Sequence, residues 1–298
     1  MSLEIAQNIF FIPGRRKGGY PFCNSLFIAD ERSAIIDPAS NRSELALYKD
    51  ARIALLSHFH NDHIRDLKLF PDAQIAIHQL ESKALRDEKV VIDLIFFADE
   101  PQEEKDSWMA RKAREMKTEW GWQASFSFQD NDEINLGKTR VKIIHTPGHT
   151  IGHSCFWLPV EEILFSADID LTDFGPWYGN ACSDAEVFWC SLEKLKKIKP
   201  RLVVTGHEMG LVKGEDFPGL LDKFQNVIVH REERILDALK EPKTLEELVS
   251  LGIIYGEFLQ KASGLRPPEQ RMLIHHLRWL VKKGLVAQEY GKWFRLAP

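Results

Sequence analysis

Residues 58–63 read His-Phe-His-Asn-Asp-His, three imidazoles and a carboxylate within six positions. The chain has only 11 histidines in 298 residues, so this crowding calls for a chemical reason. Neutral imidazole and carboxylate together are ligands for a cation, and they suit zinc, iron or manganese better than calcium or magnesium. Three further apolar runs end in a residue of the same kind: His149 in "HTPGHT", Asp168 in "LFSADID" and His207 in "VVTGHEMG". Pro147-Gly148 and Gly206 free the backbone to turn those ends toward a shared point. His58, His60, Asp62, His63, His149, Asp168 and His207 are therefore the candidate ligands. His153, close behind His149, is expected to hydrogen-bond within the site. His78 and His145 read as structural, and no chemistry attaches to His275 or His276.

The elements that must carry these residues follow from the flanks. "RIALLSH" is apolar without helical period and reads as a buried strand delivering the histidines to a loop; Asn61 and Asp62 then start a helix. Strands alternate with helices as far as "AQIAIH" at 73–78, which argues for an α/β layered domain. Residues 79–124 are charged and poor in turn signals, and are expected to form two or three helices inserted beside the site. Strands resume through "FSFQDNDEINLGKTRVKIIH", "SCFWLPVEEILFSADID" and "KPRLVVTGH". From about Val227 the apolar spacing becomes helical. Two amphipathic stretches then precede a hairpin turning at Tyr290-Gly291-Lys292, a winged-helix-like pattern. The expected division is a catalytic domain over 1–226 and a small winged-helix-like domain over 227–298.

The pattern H-x-H-x-D-H, a later His after Thr-Pro-Gly, an Asp after an apolar strand and a final Gly-His resembles the metallo-β-lactamase-fold superfamily of hydrolases over roughly residues 5–230. That resemblance implies an αββα sandwich with two metals at one edge of its sheets. It implies His58, His60 and His149 on one metal, Asp62, His63 and His207 on the other, and Asp168 bridging. It also implies that Asp37, which ends an early strand, orients the histidine loop from behind the ligands. Ala167 stands where the family usually has Gly, and Pro38-Ala39 where it has Thr-Gly. The two divalent ions, zinc first with manganese or iron as alternatives, would share a water ionised near neutral pH. The bridging hydroxide would cleave an ester, thioester or lactone of a small substrate. No Ser or Cys nucleophile is needed, which fits the absence of G-x-S-x-G. Asp62 is the candidate catalytic proton carrier. The loop "DLTDFGPWYGNACS" follows Asp168, and Trp177 and Tyr178 are expected to wall the substrate pocket.

Two other activities compete. An endoribonuclease or phosphodiesterase would use the winged helix to hold nucleic acid. Seven basic residues stand against two acidic ones over 266–298, so that end carries +5 in a chain whose net charge is −5. A persulfide dioxygenase would use one iron on the first three histidines. Winged helices also serve as lids or dimer contacts, which leaves a homodimer open. Hydrophobic content of 44% and charged content of 28% are ordinary for a globular chain. No apolar run is long enough to span a bilayer, and the first residues lack the pattern of an export signal. Cys23, Cys155, Cys182 and Cys190 are widely spaced and read as free thiols in a reducing cytoplasm. Activity on β-lactams, typical of exported enzymes, is not expected.

Overall fold

The runs Ile9–Ile12, Ala34–Ile36 and Ile53–Leu55 are apolar at every position, so both of their faces must be covered, and the computed structural model shows what covers them. It describes residues 1–116 and 121–296. The first sheet runs in sequence order through β1 (Leu3–Ala6), β2 (Ile9–Ile12), β3 (Ser25–Ile28), β4 (Ala34–Ile36), β5 (Ile53–Leu55), β6 (Gln74–His78) and β7 (Phe126–Phe128). The second comprises β8 (Glu133–Asn135), β9 (Arg140–His145), β10 (Ser154–Leu158), β11 (Ile163–Ala167), β12 (Leu202–Thr205) and β13 (Leu211–Lys213), in the spatial order β13-β12-β11-β10-β9-β8. Strand alternation sorts the side chains. Ala34, Ile36, Ile53 and Leu55 meet Val141, Ile143, Phe156 and Phe165 between the sheets. Ile35, Ala54, Ile75 and Ile77 point the other way.

Helices close both outer faces. Against the first sheet lie α1 (Arg42–Leu45), α2 (Asn61–Ile64) and α3 (Glu88–Ile95), through Leu45, Ile64, Val91 and Ile95. After α3 comes α4 (Gln102–Met116), so the charged segment 79–124 is helical over these two stretches; its residues 117–120 lie outside the described residues. Against the second sheet lie α5 (Ala185–Leu195) and α6 (Phe217–Ala238), through Phe188, Leu192, Phe224 and Ile228. The result is the αββα sandwich. Fully burying one of these Leu or Ile side chains contributes about 1.5–3 kcal/mol.

Past α6 the chain forms β14 (Lys243–Thr244), α7 (Leu245–Ser250), α8 (Phe258–Lys261), α9 (Arg266–Lys282), β15 (Val286–Glu289) and β16 (Lys292–Arg295), the strands making a small antiparallel sheet ordered β14-β16-β15. Thr244 and Glu247 cap α7 reciprocally. Tyr290 and Gly291, both at positive φ, make the hairpin turn. Helix α6 runs unbroken through residue 226, where the sequence texture changes. Leu248, Met272, Leu273 and Leu277 pack into the same apolar cluster as Ile144 and Leu164 of the second sheet. Among the described residues no helix is long and apolar enough to cross a membrane. All four cysteines are free.

Candidate metal centre

The site lies where β4, β5, β9, β11 and β12 end. β4 and β5 run parallel with Ile36 beside Leu55, which sets Asp37 next to Ser57. Asp37 turns back at φ 47°. Its carboxylate accepts from Ser57 N (2.8 Å), Ser57 Oγ (2.6 Å) and His63 Nδ1 (2.8 Å). His60 precedes the single turn of α2, which carries Asp62 and His63. Ala167 takes φ 48° at a register shift between β11 and β12, and this left-handed step aims Asp168 into the site. The same conformation explains why glycine suits that position. Gly148, at φ 130°, lies so close to α5 that a Cβ there would sit 2.3 Å from Phe188 Cα.

The outward hydrogen bonds fix the tautomers. Ser57 Oγ donates to Asp37, so it accepts from His58 Nδ1–H at 2.9 Å. His63 Nδ1–H donates to Asp37, His149 Nδ1–H to the Trp177 carbonyl (2.9 Å), and His207 Nδ1–H to the Gly18 carbonyl (2.6 Å). In each of these rings Nε2 therefore points inward, free to take a cation or a proton. His60 is turned round: Nδ1 faces inward, 2.9 Å from His58 Nε2 and 3.0 Å from His149 Nε2, while Nε2 meets the Asn180 side chain at 2.8 Å. His63 Nε2 and His207 Nε2 are 3.1 Å apart. Ring nitrogens this close repel one another unless a proton or a cation lies between them.

Asp168 stands between the two sets. Its Oδ2 is 3.1 Å from His149 Nε2 and 4.0 Å from His58 Nε2. Its Oδ1 is 2.8 Å from His63 Nε2 and 3.5 Å from His207 Nε2, yet this buried oxygen makes no well-formed hydrogen bond. Asp62 Oδ2 lies 3.6 Å from His207 Nε2. His58, His60, His149 and Asp168 form one group able to hold a cation, and Asp62, His63 and His207 a second. A buried carboxylate set between the inward imidazole nitrogens of two groups, one oxygen toward each, fits a metal pair.

Electrostatics separate the two groups. Burial pushes His58, His60 and His149 below the ordinary imidazole range, which keeps them neutral. Burial acts the same way on His63 and His207, but Asp168 and neighbouring acidic groups outweigh it. His63 is held well above the usual value, and His207 at about 9. Burial opposes the Asp168 charge, yet His63, His149 and His207 hold its carboxyl well below the usual carboxylate range. The second group therefore attracts positive charge most strongly.

The structure thus brings all seven sequence-predicted ligands together, with Asp37 and His153 behind them. His153 Nε2 accepts from the Asp168 backbone N–H (3.2 Å), and its Nδ1–H donates to the Thr146 carbonyl (3.0 Å). Burial presses its pKa to about 3, so it stays neutral. His78 and His145 stack on each other, ring centroids 4.0 Å apart, outside the cluster. Trp177 borders the site with its ring 5.4 Å from His149 and 6.0 Å from His60. Tyr178 does not wall the pocket as expected. It is fully buried, and its hydroxyl meets His276 Nε2 (2.6 Å) and Arg231 Nη1 (2.9 Å). The buried Arg231 also donates to the carbonyls of Phe174 and Pro176, and this pulls the tyrosine inward.

Three other residues escaped the sequence reading. Glu81 accepts from Phe59 N (2.8 Å) and Gly152 N (2.7 Å), tying the first histidine loop to the one that carries His149 and His153. Asn180 touches His60. His275 of α9 donates to the Asn180 carbonyl at 2.8 Å. Nothing local in the sequence marked these roles.

The chain belongs to the metallo-beta-lactamase superfamily, whose family model matches residues 18–207, a span holding every candidate ligand. It is similar to a beta-lactamase-like protein 2 homolog of Caenorhabditis elegans, 26% identical over 166 residues, 56% of this chain and 53% of that one. It is also similar to acyl-coenzyme A thioesterase MBLAC2 of Homo sapiens, 30% identical over 119 residues, 39% of this chain and 40% of that one. The chain spans about half or less of the length of these curated relatives. A solved metallo-beta-lactamase family protein from Thermus thermophilus shares the fold, with a TM-score of 0.73 at 21% identity over 98% of this chain and all of that one.

Proposed function

We propose that the protein is a two-metal hydrolase of small thioesters. The observation that carries this reading is the Asp168 carboxylate, which turns one oxygen to each of two separate sets of imidazoles. His58, His60 and His149 would hold one divalent ion, Asp62, His63 and His207 the other, and Asp168 both. Zinc suits the five imidazoles and two carboxylates. Bound metals supply Lewis acidity and an ionised water near neutral pH. The chain's residues do the rest. Asp37, Ser57 and the Trp177 carbonyl hold ring tautomers, Trp177 bounds the acyl side, and the buried Asp62, beside His207, carries a proton toward the leaving atom.

The thioester preference draws support from the human relative, whose name states acyl-coenzyme A thioesterase. A completed second group favours two metals over the single iron of a dioxygenase. We read residues 227–298 as a winged-helix-like support for the site and not as a reader of nucleic acid. Of the basic residues from 266 onward, Arg266, Arg271, Lys282 and Lys283 are paired with Glu246, Glu100, Glu186 and Glu232. Four free thiols fit a reducing cytoplasm. The test is a panel of thioesters, oxygen esters, lactones and phosphodiesters assayed with zinc, manganese or iron. Thioester cleavage that chelation abolishes is expected. Turnover that survives exhaustive chelation rules out the metal mechanism, and cleavage of phosphodiesters alone rules out the substrate class.

A further inference from the structure

His60 is the ring whose orientation the cluster itself does least to secure. The other four ligand histidines turn Nδ1 to an acceptor on the sandwich or its loops: Ser57, Asp37, Trp177 and Gly18. Among the described residues, the outward nitrogen of His60 meets only the Asn180 side chain, whose Nδ2 lies 2.8 Å from His60 Nε2. Asn180 is 3% exposed and sits on the loop that also gives its Trp177 carbonyl to His149. That loop is strapped from outside by α6 and α9. Arg231 takes the carbonyls of Phe174 and Pro176, Arg271 approaches the Gly179 carbonyl at 3.4 Å, and His275 takes the Asn180 carbonyl. Arg271 is itself fixed by a bidentate pair with Glu100, at 2.9 and 2.6 Å.

We propose that Asn180 is a positioning residue of the metal centre, and that α9 acts on the centre through His275 and Asn180. When His60 Nδ1 gives its lone pair to a cation, the ring proton must sit on Nε2, and the partner there must accept. A half-turn of the Asn180 amide exchanges nitrogen for oxygen without moving the loop, so Oδ1 receives the His60 Nε2–H. Asn180 then fixes tautomer and ring plane together, as an outer hydrogen-bond partner does for a metal-bound imidazole. The His275 bond sets where on the loop that amide stands.

This inference rests on the two-metal reading and is tested by binding, without turnover. The full-length protein is titrated with Zn²⁺ against a chromophoric chelator, and the metal-free melting temperature is measured alongside. Asn180→Leu, which fills the space and offers no acceptor, is expected to weaken one of the two Zn²⁺ sites about 10–100-fold and leave the other unchanged. Asn180→Asp, which keeps an acceptor, is expected to bind at least as tightly as the wild type. His275→Leu is expected to weaken the same site less than Asn180→Leu does, with His275→Gln restoring it. Wild-type affinity at both sites in Asn180→Leu overturns the proposal. So does Asn180→Asp binding tenfold or more weakly than the wild type, and this variant decides alone if Asn180→Leu does not fold. A wild-type chain that takes up no Zn²⁺ sinks the two-metal reading as well.

Discussion

At the scale of single residues, the centre depends as much on what stands behind the ligands as on the ligands. Asp37 accepts three hydrogen bonds at once, from Ser57 N, Ser57 Oγ and His63 Nδ1. Asparagine there would turn an N–H toward at least one of those donors. Asp37→Asn should therefore weaken zinc at the Asp62/His63/His207 group about 10–100-fold, read by chelator competition; unchanged binding would show that His63 needs no such anchor. Asp62 makes a different prediction. A leaving thiolate, with a parent pKa near 8.5, needs less protonation than a leaving alkoxide. In Asp62→Asn with metal content retained, turnover should fall much further on an oxygen ester than on the matching thioester. Equal losses on both would remove proton delivery from its role. Glu81 predicts a pH effect. Burial raises its carboxyl from 4.5 to about 7. The folded chain then binds the extra proton between about pH 4.5 and 7, so Glu81's contribution to stability falls as pH rises through that window and is flat above it. Urea unfolding of the metal-free protein should show this slope relative to Glu81→Gln, and parallel pH curves would refute it. The histidine motif was legible because its chemistry lies in residue types at close spacing. Glu81 and Asn180 were not, because their partners are two backbone N–H groups and a ring brought near only by folding.

At the scale of elements, the strands were legible for a physical reason. Runs such as "RIALLSH" and "ILFSA" are apolar on both faces because the inter-sheet core lies on one side and helices lie on the other. The aromatic loop was misread for a reason of the same kind. Tyr178 sits in a turn-rich stretch, but its partners Arg231 and His276 lie on α6 and α9, far along the chain, so no local pattern could show it drawn inside. The turn carrying His149 is held by contact as well. A methyl group at Gly148 would meet the α5 backbone at Phe188 and would also be strained by the positive φ. Gly148→Ala should cost about 1–3 kcal/mol and lower zinc affinity, because His149 is the next residue. An unshifted melting temperature would mean that α5 can retreat.

At the scale of the whole molecule, the change of texture near Val227 marks where strands give way to helices, and the core continues past it. Apolar side chains from Ile144 to Val286 form one cluster, and α6 belongs to both sides of the expected boundary. Calorimetry of the metal-free protein should accordingly show one cooperative transition; two separated peaks would mean that the C-terminal segment folds on its own. The positive charge of that segment was visible in composition, but its pairing with Glu246, Glu100, Glu186 and Glu232 was not, since Glu100 and Glu186 lie in the preceding sandwich. The straps from α6 and α9 also carry a consequence in time. A ribosome delivers His60 long before Arg231 and His275, so the nascent chain presents its imidazoles before the braces that orient two of them exist. On the two-metal reading, the His60 site is then expected to reach its full affinity only after the final helix has been delivered.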